Sequence, residues 1–457
     1  MNIQSIRVIG LFEEFDHTIN LRMRERITIL HGPNGVGKTT VLRLVKNLFA
    51  GNMNALLGIS FAEIEIAFLD KSKLRARRLK KQGHKNVFIV SLQLEGAGGQ
   101  IIENYIFEKS ALNDMDDAQL RSLLPLPVSA IEDHVPELDQ IGARIWIDRA
   151  TGEHIDLYDA LVRYGDRIGF PVERLAEHRL PQKIKNILDR TPVHLIETQR
   201  LFARRTAHVE PRATSRNWRA HPNTGNETEG TGVAAASRDM VNEIKSSLSR
   251  SGEVSATLDA QFAYKLITGA VSQLDESDIR KRYAEYRAFS KSLAGAGILS
   301  DPYIRDLPSE ALDVADRKAL SLYLQDVERK LEPFKGLLEK TNFFTTLINS
   351  RFRRKRLTVD KEKGFILTGK NGEIPSSGLS SGEQHELILM YELLFKVKAK
   401  SLILIDEPEL SLHVTWQQKF LDDLAMLTKL SDIDFVVATH SPSIVNGRLD
   451  LTVELEG

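Results

Sequence analysis

Three short stretches hold residue types whose spacing suits phosphate chemistry. "GPNGVGKT" (Gly32, Pro33, Asn34, Gly35, Val36, Gly37, Lys38, Thr39), with Thr40 next, fits the pattern G-x-x-x-x-G-K-[ST]. Its glycines let the backbone wrap an anion with the N–H groups pointing inward. Lys38 sets a cation beside the β- and γ-phosphates of a nucleotide, and Thr39 offers a hydroxyl to Mg²⁺. "LILIDEPE" (402–409) is an apolar run ending in two acids, as expected of a buried parallel strand that delivers carboxylates at its C-terminal edge. Asp406 is placed to hold Mg²⁺ and Glu407 to poise the attacking water. "THSP" (439–442) follows the strand-like "DFVVA". A lone histidine after a strand is more often structural, but as the third member of this set His440 is a candidate for bonding and sensing the γ-phosphate.

A fourth stretch, "GLSSGEQHELILMYELLF" (378–395), turns from small polar residues into a helical pattern. Leu387, Met390, Tyr391 and Leu394 recur at helical spacing, which predicts an amphipathic helix. Ser380 and Glu383 read as its capping box. A capped helix start behind Ser and Gly is an anion site, because unpaired N–H groups point outward there.

The elements that position these residues follow from the patterns around them. "RITILHG" reads as the strand before the glycine loop, and Val41, Leu42, Val45, Leu48 and Phe49 form the apolar face of the helix after it, with Gly51 as its stop. "FAEIEIAFLD" (61–70) and "NVFIVSLQLE" (86–95) alternate with period two and predict an antiparallel hairpin with a long tip. Residues 100–190 read as mixed and largely helical. "PVHLIETQRLF" (192–202) reads as a return to the central sheet, and 212–237, rich in Gly, Thr, Asn and Ser, as a mobile loop. Helical patterns dominate 238–350 without a sustained heptad repeat, which predicts an arm of a few packed helices. Strands return after 356.

The bulk numbers set bounds. The 457 residues are 42% hydrophobic and 27% charged with a net charge of zero, so no global field draws the chain to nucleic acid or anionic lipid. Without cysteine there are no disulfides and no thiolate metal sites. No apolar run reaches transmembrane length and "MNIQSIRVIGLFEEFDH" shows no signal-peptide pattern. The expectation is a soluble cytoplasmic protein with no membrane partner.

The glycine loop, "LSSGEQ", the acid pair and a histidine after a strand, in this order, resemble the ATP-binding cassette (ABC) ATPases. That resemblance implies an α/β fold: a P-loop NTPase head of the ABC type, interrupted by a helical, short coiled-coil-like insertion. It implies ATP and Mg²⁺ as cofactors and ATP hydrolysis at a composite dimer interface. "LSSGEQ" is similar to the signature motif, so Ser380, Ser381, Gly382 and Glu383 are expected to close on the γ-phosphate held by a second subunit. Gln199 in "HLIETQRL" becomes the candidate glutamine that reaches Mg²⁺ and the attacking water, the alternative being a surface glutamine. The implied division is 1–202 and 351–457 as two halves of the head, with a flexible loop and helical arm at 203–350.

A narrower resemblance rests on "SSGEQHELILMYELLF", "LIDEPELSLHVTWQQKFLDDL" and "ATHSPSIV". These look like the stand-alone ATPases of prokaryotic anti-phage systems: the PARIS-system ATPase above all, with the Septu ATPase and the ATPase parts of Gabija and overcoming-lysogenization-defect nucleases as relatives. "ELSLH" stands where transporters carry a "SALD"-type loop, which argues against a transporter subunit. The chain stops soon after "THSPSIVNGRLDLTVELEG", leaving no room for a C-terminal TOPRIM domain. The resemblance then implies a homo-oligomer built from head-to-head dimers, a separate TOPRIM-type effector nuclease and a phage-encoded trigger protein. The alternative is a DNA-repair ATPase of the RecF or SMC type acting directly on DNA. "KSKLRARRLKKQGHK" (71–85) holds eight Lys or Arg and no acid, and is expected to be exposed at the hairpin tip. It reads either as a solvated charge run or as a grip for nucleic-acid phosphates or an acidic protein. "RFRRKR" (351–356) reads as mostly structural.

Overall fold

The computed structural model describes residues 3–80, 88–108, 118, 124–149, 152–170, 180–197, 232–268, 273–301, 303–410 and 412–456. The chain opens with strands β1 (Ile3–Leu11), β2 (Phe15–Asn20) and β3 (Ile27–His31), then helix α1 (Lys38–Phe49), β4 (Glu63–Phe68), β5 (Lys73–Lys80), β6 (Phe88–Glu95) and β7 (Ile101–Glu108). Next come β8 (Leu138–Gly142), β9 (Ile145–Asp148), β10 (Glu153–Asp156), α2 (Leu157–Ile168), α3 (Gln182–Arg190) and β11 (Val193–Glu197). Three helices follow, α4 (Gly232–Thr268), α5 (Glu276–Gly295) and α6 (Val314–Arg351). The C-terminal part holds β12 (Arg356–Asp360), β13 (Gly364–Gly369), β14 (Gly372–Ile374), α7 (Ser381–Tyr391), β15 (Leu402–Asp406), α8 (Phe420–Ser431), β16 (Asp434–Ala438) and β17 (Thr452–Glu454). Residues divide into two compact units, Met1–Trp218 with Val397–Gly457, and Arg219–Lys396.

The first unit contains the parallel sheet β11-β15-β16-β3-β17. Leu402, Ile403, Leu404 and Ile405 of β15 are all buried, as are all five residues of β16, so apart from Asp434 at the start of β16 these stretches read as continuous apolar runs rather than alternations. A second sheet, antiparallel, has the order β2-β1-β4-β5-β6-β7. Its order corrects the expected hairpin: 61–70 and 86–95 do not pair with each other, because β5 lies between them. The basic run therefore begins as an interior strand rather than a tip. Leu74 and Ala76 are buried on one face. On the other face Arg75 lies opposite Glu65, Arg77 opposite Glu63 and Lys73 opposite Glu95. Arg75 and Lys73 bond Glu65 at 2.5 and 3.0 Å, and Arg75 also pairs with Glu95. Directly opposed charges of this kind stabilise a sheet by roughly 0.2–1 kcal/mol each. Residues 81–85 of that run lie outside the described residues. The stretch 100–190, expected to be largely helical, contributes β7 and the three-stranded sheet β10-β9-β8 as well as α2 and α3. Strands β8, β9 and β10 have only five, four and four residues, too short for their alternation to stand out against the polar loops between them.

The second unit is the helical arm with its attached small sheet. Helices α4 and α6 have 37 and 38 residues, long enough to extend about 55 Å at 1.5 Å per residue. Ser251 donates to the Lys330 carbonyl at 2.8 Å, and Lys330 pairs with Asp259 at 2.7 Å, which ties the two together. Most of the expected loop at 212–237 falls outside the described residues; from Gly232 the chain is already α4. Strands β12-β13-β14 form an antiparallel sheet, and α7 follows. The amphipathic reading of α7 is corrected: every residue from His385 to Tyr391 is buried. Its buried acid, Glu386, pairs with Arg351 at the end of α6, and the two side chains are 0% and 3% exposed.

Removing one partner of a buried pair strands the other charge, which costs about 3–5 kcal/mol, whereas an apolar replacement of both is close to neutral. Arg351→Met alone is expected to destabilise the fold by about that amount in urea denaturation, and Arg351→Met with Glu386→Leu to recover most of the loss. Equal losses in the single and the double variant would contradict this account of the pair.

Candidate functional site

The parallel sheet fixes the geometry of the site. Glu197 of β11 is in register with Asp406 of β15, Asp406 with Ala438 of β16, and Ala438 with Leu30 of β3. Four strands therefore end at one level, and the residues that follow them, His31–Thr39, Glu407 and Thr439–His440, start from one edge. Open α/β sheets bind their ligands at this carboxyl edge.

The loop from Gly32 to Gly37 connects β3 to α1. Gly37 caps α1 with φ 89°, and a Cβ there would lie 2.4 Å from Leu11 Cδ2, so only glycine fits. The first turn of α1 carries no acid, which leaves its N-terminal N–H groups to an external anion. His17 of β2, buried, bonds the Val36 carbonyl at 2.8 Å and pins the loop from beneath. Pro33, Asn34 and Gly35 are exposed. Lys38 donates to the carbonyls of Gly32 at 3.0 Å and Pro33 at 2.8 Å. Burial lowers its pKa, while Glu407, Asp406 and Glu409 oppose that shift.

Thr39 Oγ1 donates to Asp406 Oδ1 at 3.0 Å across the sheet edge. Burial raises Asp406 to about 6, the nearby Glu407 adds to the rise, and the Thr39 bond and Arg43 oppose it. A buried carboxylate held up in this way is favoured by any cation that comes to lie beside it. A hydroxyl and a carboxylate side by side, with phosphate oxygens and water completing the shell, match the preference of Mg²⁺ for oxygen ligands. The residues fit Mg²⁺ with a nucleotide. No cluster of three or more His, Asp or Glu able to hold a metal by itself occurs among the described residues. Glu407 follows in the left-handed region, φ 47°, an unfavourable conformation for a residue with a Cβ. Its N–H donates to the Ala438 carbonyl at 2.9 Å.

His440 is exposed at the end of β16, one residue past the buried Thr439. Two residues missed in the sequence join this edge: Glu197 and Arg43, paired at 2.8 Å. Arg43 lies one helical turn beyond Thr39, a spacing that was legible. Its partner becomes apparent only once β11 is known to lie beside β15. Gln199 lies outside the described residues.

Ser380, Ser381, Gly382 and Glu383 belong to the second unit and start α7. The capping box is formed: Glu383 N–H donates to Ser380 Oγ at 3.3 Å, and Ser380 N–H to Glu383 Oε2 at 2.7 Å. Lys355 donates to Glu383 Oε2 at 2.8 Å and to the Gly378 carbonyl at 3.0 Å, a cation supplied by the "RFRRKR" stretch.

A family model described as "AAA domain, putative AbiEii toxin, Type IV TA system" matches residues 239–446, which include Ser380–Glu383, Asp406, Glu407 and His440 but not the phosphate loop. The chain has a P-loop ATPase fold, mixed α/β with a helical region. No curated protein sequence matches it. Among solved structures, it is similar to an SMC head bound to the C-winged helix domain of ScpA, with 11% identity, 97% of this chain and 91% of that chain covered, and a TM-score of 0.32. An SMC head with an extended coiled coil, bound to the C-terminal domain of ScpA from Pyrococcus furiosus, has 10% identity, the same coverage and a TM-score of 0.30. The SMC head domain from Thermotoga maritima has 10% identity, the same coverage and a TM-score of 0.29. Superpositions at that level support no inference about function. No helix among the described residues is long and apolar enough to cross a membrane.

The raised pKa of Asp406 has a definite sign. Because the folded value lies above the ordinary 3.8, ionised Asp406 destabilises the nucleotide-free fold above about pH 6, and the penalty fades as pH falls towards 4. Asp406→Asn is expected to raise the nucleotide-free melting temperature by about 2–4 °C near neutral pH and by less near pH 5. The same variant should lose the Mg²⁺-dependent part of nucleotide stabilisation. Thermal melts at the two pH values check both; a gain that grows on acidification would contradict the burial argument.

Proposed function

We propose that this protein binds Mg·ATP at the loop Gly32–Thr40 and hydrolyses it slowly in a head-to-head dimer. The observation that carries the reading is the 3.0 Å contact between Thr39 and Asp406, with Glu407 next in sequence at the same edge. Bound Mg²⁺ would supply neutralisation of phosphate charge, and Thr39 and Asp406 would hold it, with Gln199 as the further ligand proposed from the sequence. Lys38 turns from the loop carbonyls to the phosphates. Glu407 orients and deprotonates the attacking water, and His440 bonds the γ-phosphate. Ser380–Glu383 of one protomer face the γ-phosphate bound by the other, with the N-terminal end of α7 supplying the positive pole.

At the level of biology, the protein is the sensor and scaffold of an anti-phage system most like PARIS. It restrains a separate TOPRIM-type nuclease and releases it when a phage-encoded trigger protein is detected. The supports are the "LIDEPELSLH" and "ATHSPSIV" stretches and the match to an AbiEii-type model over 239–446. Direct action on DNA is the weaker reading, because Lys73, Arg75 and Arg77, the first cations of the basic run, are engaged by Glu63, Glu65 and Glu95.

Glu407→Gln is expected to cut hydrolysis about a hundredfold or more and to accumulate ATP-bound dimers in native mass measurements. Hydrolysis at the wild-type rate would remove Glu407 as the base. Lys38→Ala should weaken nucleotide binding itself. Native mass of the protein with the product of its neighbouring gene then tests the biology: a co-eluting nuclease supports the sensor reading, and an ATPase that ignores its neighbour and binds DNA overturns it.

A further inference from the structure

The turn after β15 and the turn after β16 are joined by one side chain that the roles above leave out. Glu409 Oε1 accepts from the His440 backbone N–H and Glu409 Oε2 from the Thr439 hydroxyl, both at 2.8 Å. Both carboxylate oxygens are used, and bonds to an ionised acceptor are about twice as strong as neutral ones. Thr439 is 0% exposed, so its hydroxyl has no water to turn to. It also accepts from the Ser441 N–H at 2.9 Å. Gln417, itself buried, donates to the Glu409 carbonyl at 3.2 Å and accepts from the Ser441 hydroxyl at 2.9 Å. Thr439 N–H is held by the Leu30 carbonyl at 3.1 Å, which ties the assembly to the strand that leads into the phosphate loop.

We infer that Glu409 is a positioning residue: a two-pronged latch that sets the distance between Glu407 and His440. This rests on the ATPase reading above and deepens it. Glu407 sits in an unfavourable left-handed conformation, two residues before the latch. Its own N–H bond to Ala438 and the latch to Thr439 and His440 grip the same stretch of chain from two points. Strained conformations persist only where surrounding contacts over-determine them. With the latch open, Glu407 relaxes and His440 drifts, so water and γ-phosphate are no longer addressed together. Glu409 touches neither, and acts through the two residues that do.

The latch predicts a split between binding and turnover. Misplacement by about 1 Å costs on the order of a hundredfold in rate. Glu409→Ala is expected to lower kcat for ATP by about that factor. Its affinity for a fluorescent ATP analogue should stay within about threefold, because the hydrogen bonds of Lys38 to the loop and of Thr39 to Asp406 do not involve Glu409. Thr439→Val should lose kcat in the same way, and Thr439→Ser, which keeps the hydroxyl, should stay near wild type. The double variant Glu409→Ala/Thr439→Val should be little worse than either single, since they break one unit. Independently of activity, amide exchange at His440 in the nucleotide-free protein should rise in Glu409→Ala, while exchange in β3 stays slow. Wild-type kcat in Glu409→Ala, unchanged exchange at His440, or additive losses in the double variant would each overturn the latch. Failure of the ATPase reading looks different: wild-type protein and Glu407→Gln would then show the same ATP turnover.

Discussion

The level ending of four parallel strands is the constraint on which the site depends. Parallel register places Glu197, Asp406, Ala438 and Leu30 side by side. Every turn that leaves the sheet there starts from one line. Slipping β15 by a single residue would turn Asp406 to the opposite face of the sheet and move Glu407 into its place. That slip would also carry Asp406 into the buried position of Ile405, and the cost of burying a carboxylate among Leu402–Ile405 forbids it. The hydrophobic core therefore sets the position of the acids, and the acids set the chemistry.

That arrangement is expensive in the nucleotide-free protein. Asp406, Glu407 and Glu409 all act on one lysine, Lys38, and Asp406 also accepts from the hydroxyl of Thr39. Burial pushes protons onto Asp406 and off Lys38. Mg·ATP would relieve both tendencies, since the metal serves the carboxylates and the phosphates serve the lysine. The loops would then be held by the ligand as well as by the sheet, and the folded state would gain stability by mass action.

Much of this was legible in the sequence because it depends on local spacing. The phosphate loop, the strand ending in Asp406 and Glu407, the capping box at Ser380 and Glu383, and the return of β11 to the central sheet were all readable from patterns a few residues long. What escaped was decided by partners distant in sequence. The basic run looked like a solvated tip because its neutralising acids, Glu63, Glu65 and Glu95, lie on two other strands. Helix α7 looked amphipathic because Glu386 reads as a surface residue until Arg351 is found beside it. Glu409 looked like the tail of a motif, and its partners lie one helix and one strand further along.

The most direct measurement is a crystal structure of the Glu407→Gln protein with ATP and Mg²⁺. The account predicts phosphates wrapped by Gly32–Thr39, and Mg²⁺ at about 2.0–2.1 Å from Thr39 Oγ1. Asp406 should lie in the same coordination shell, directly or through one water, and Ser380–Glu383 of a second protomer should face the γ-phosphate. Phosphates bound away from the loop, or Mg²⁺ held without Thr39 and Asp406, would contradict it.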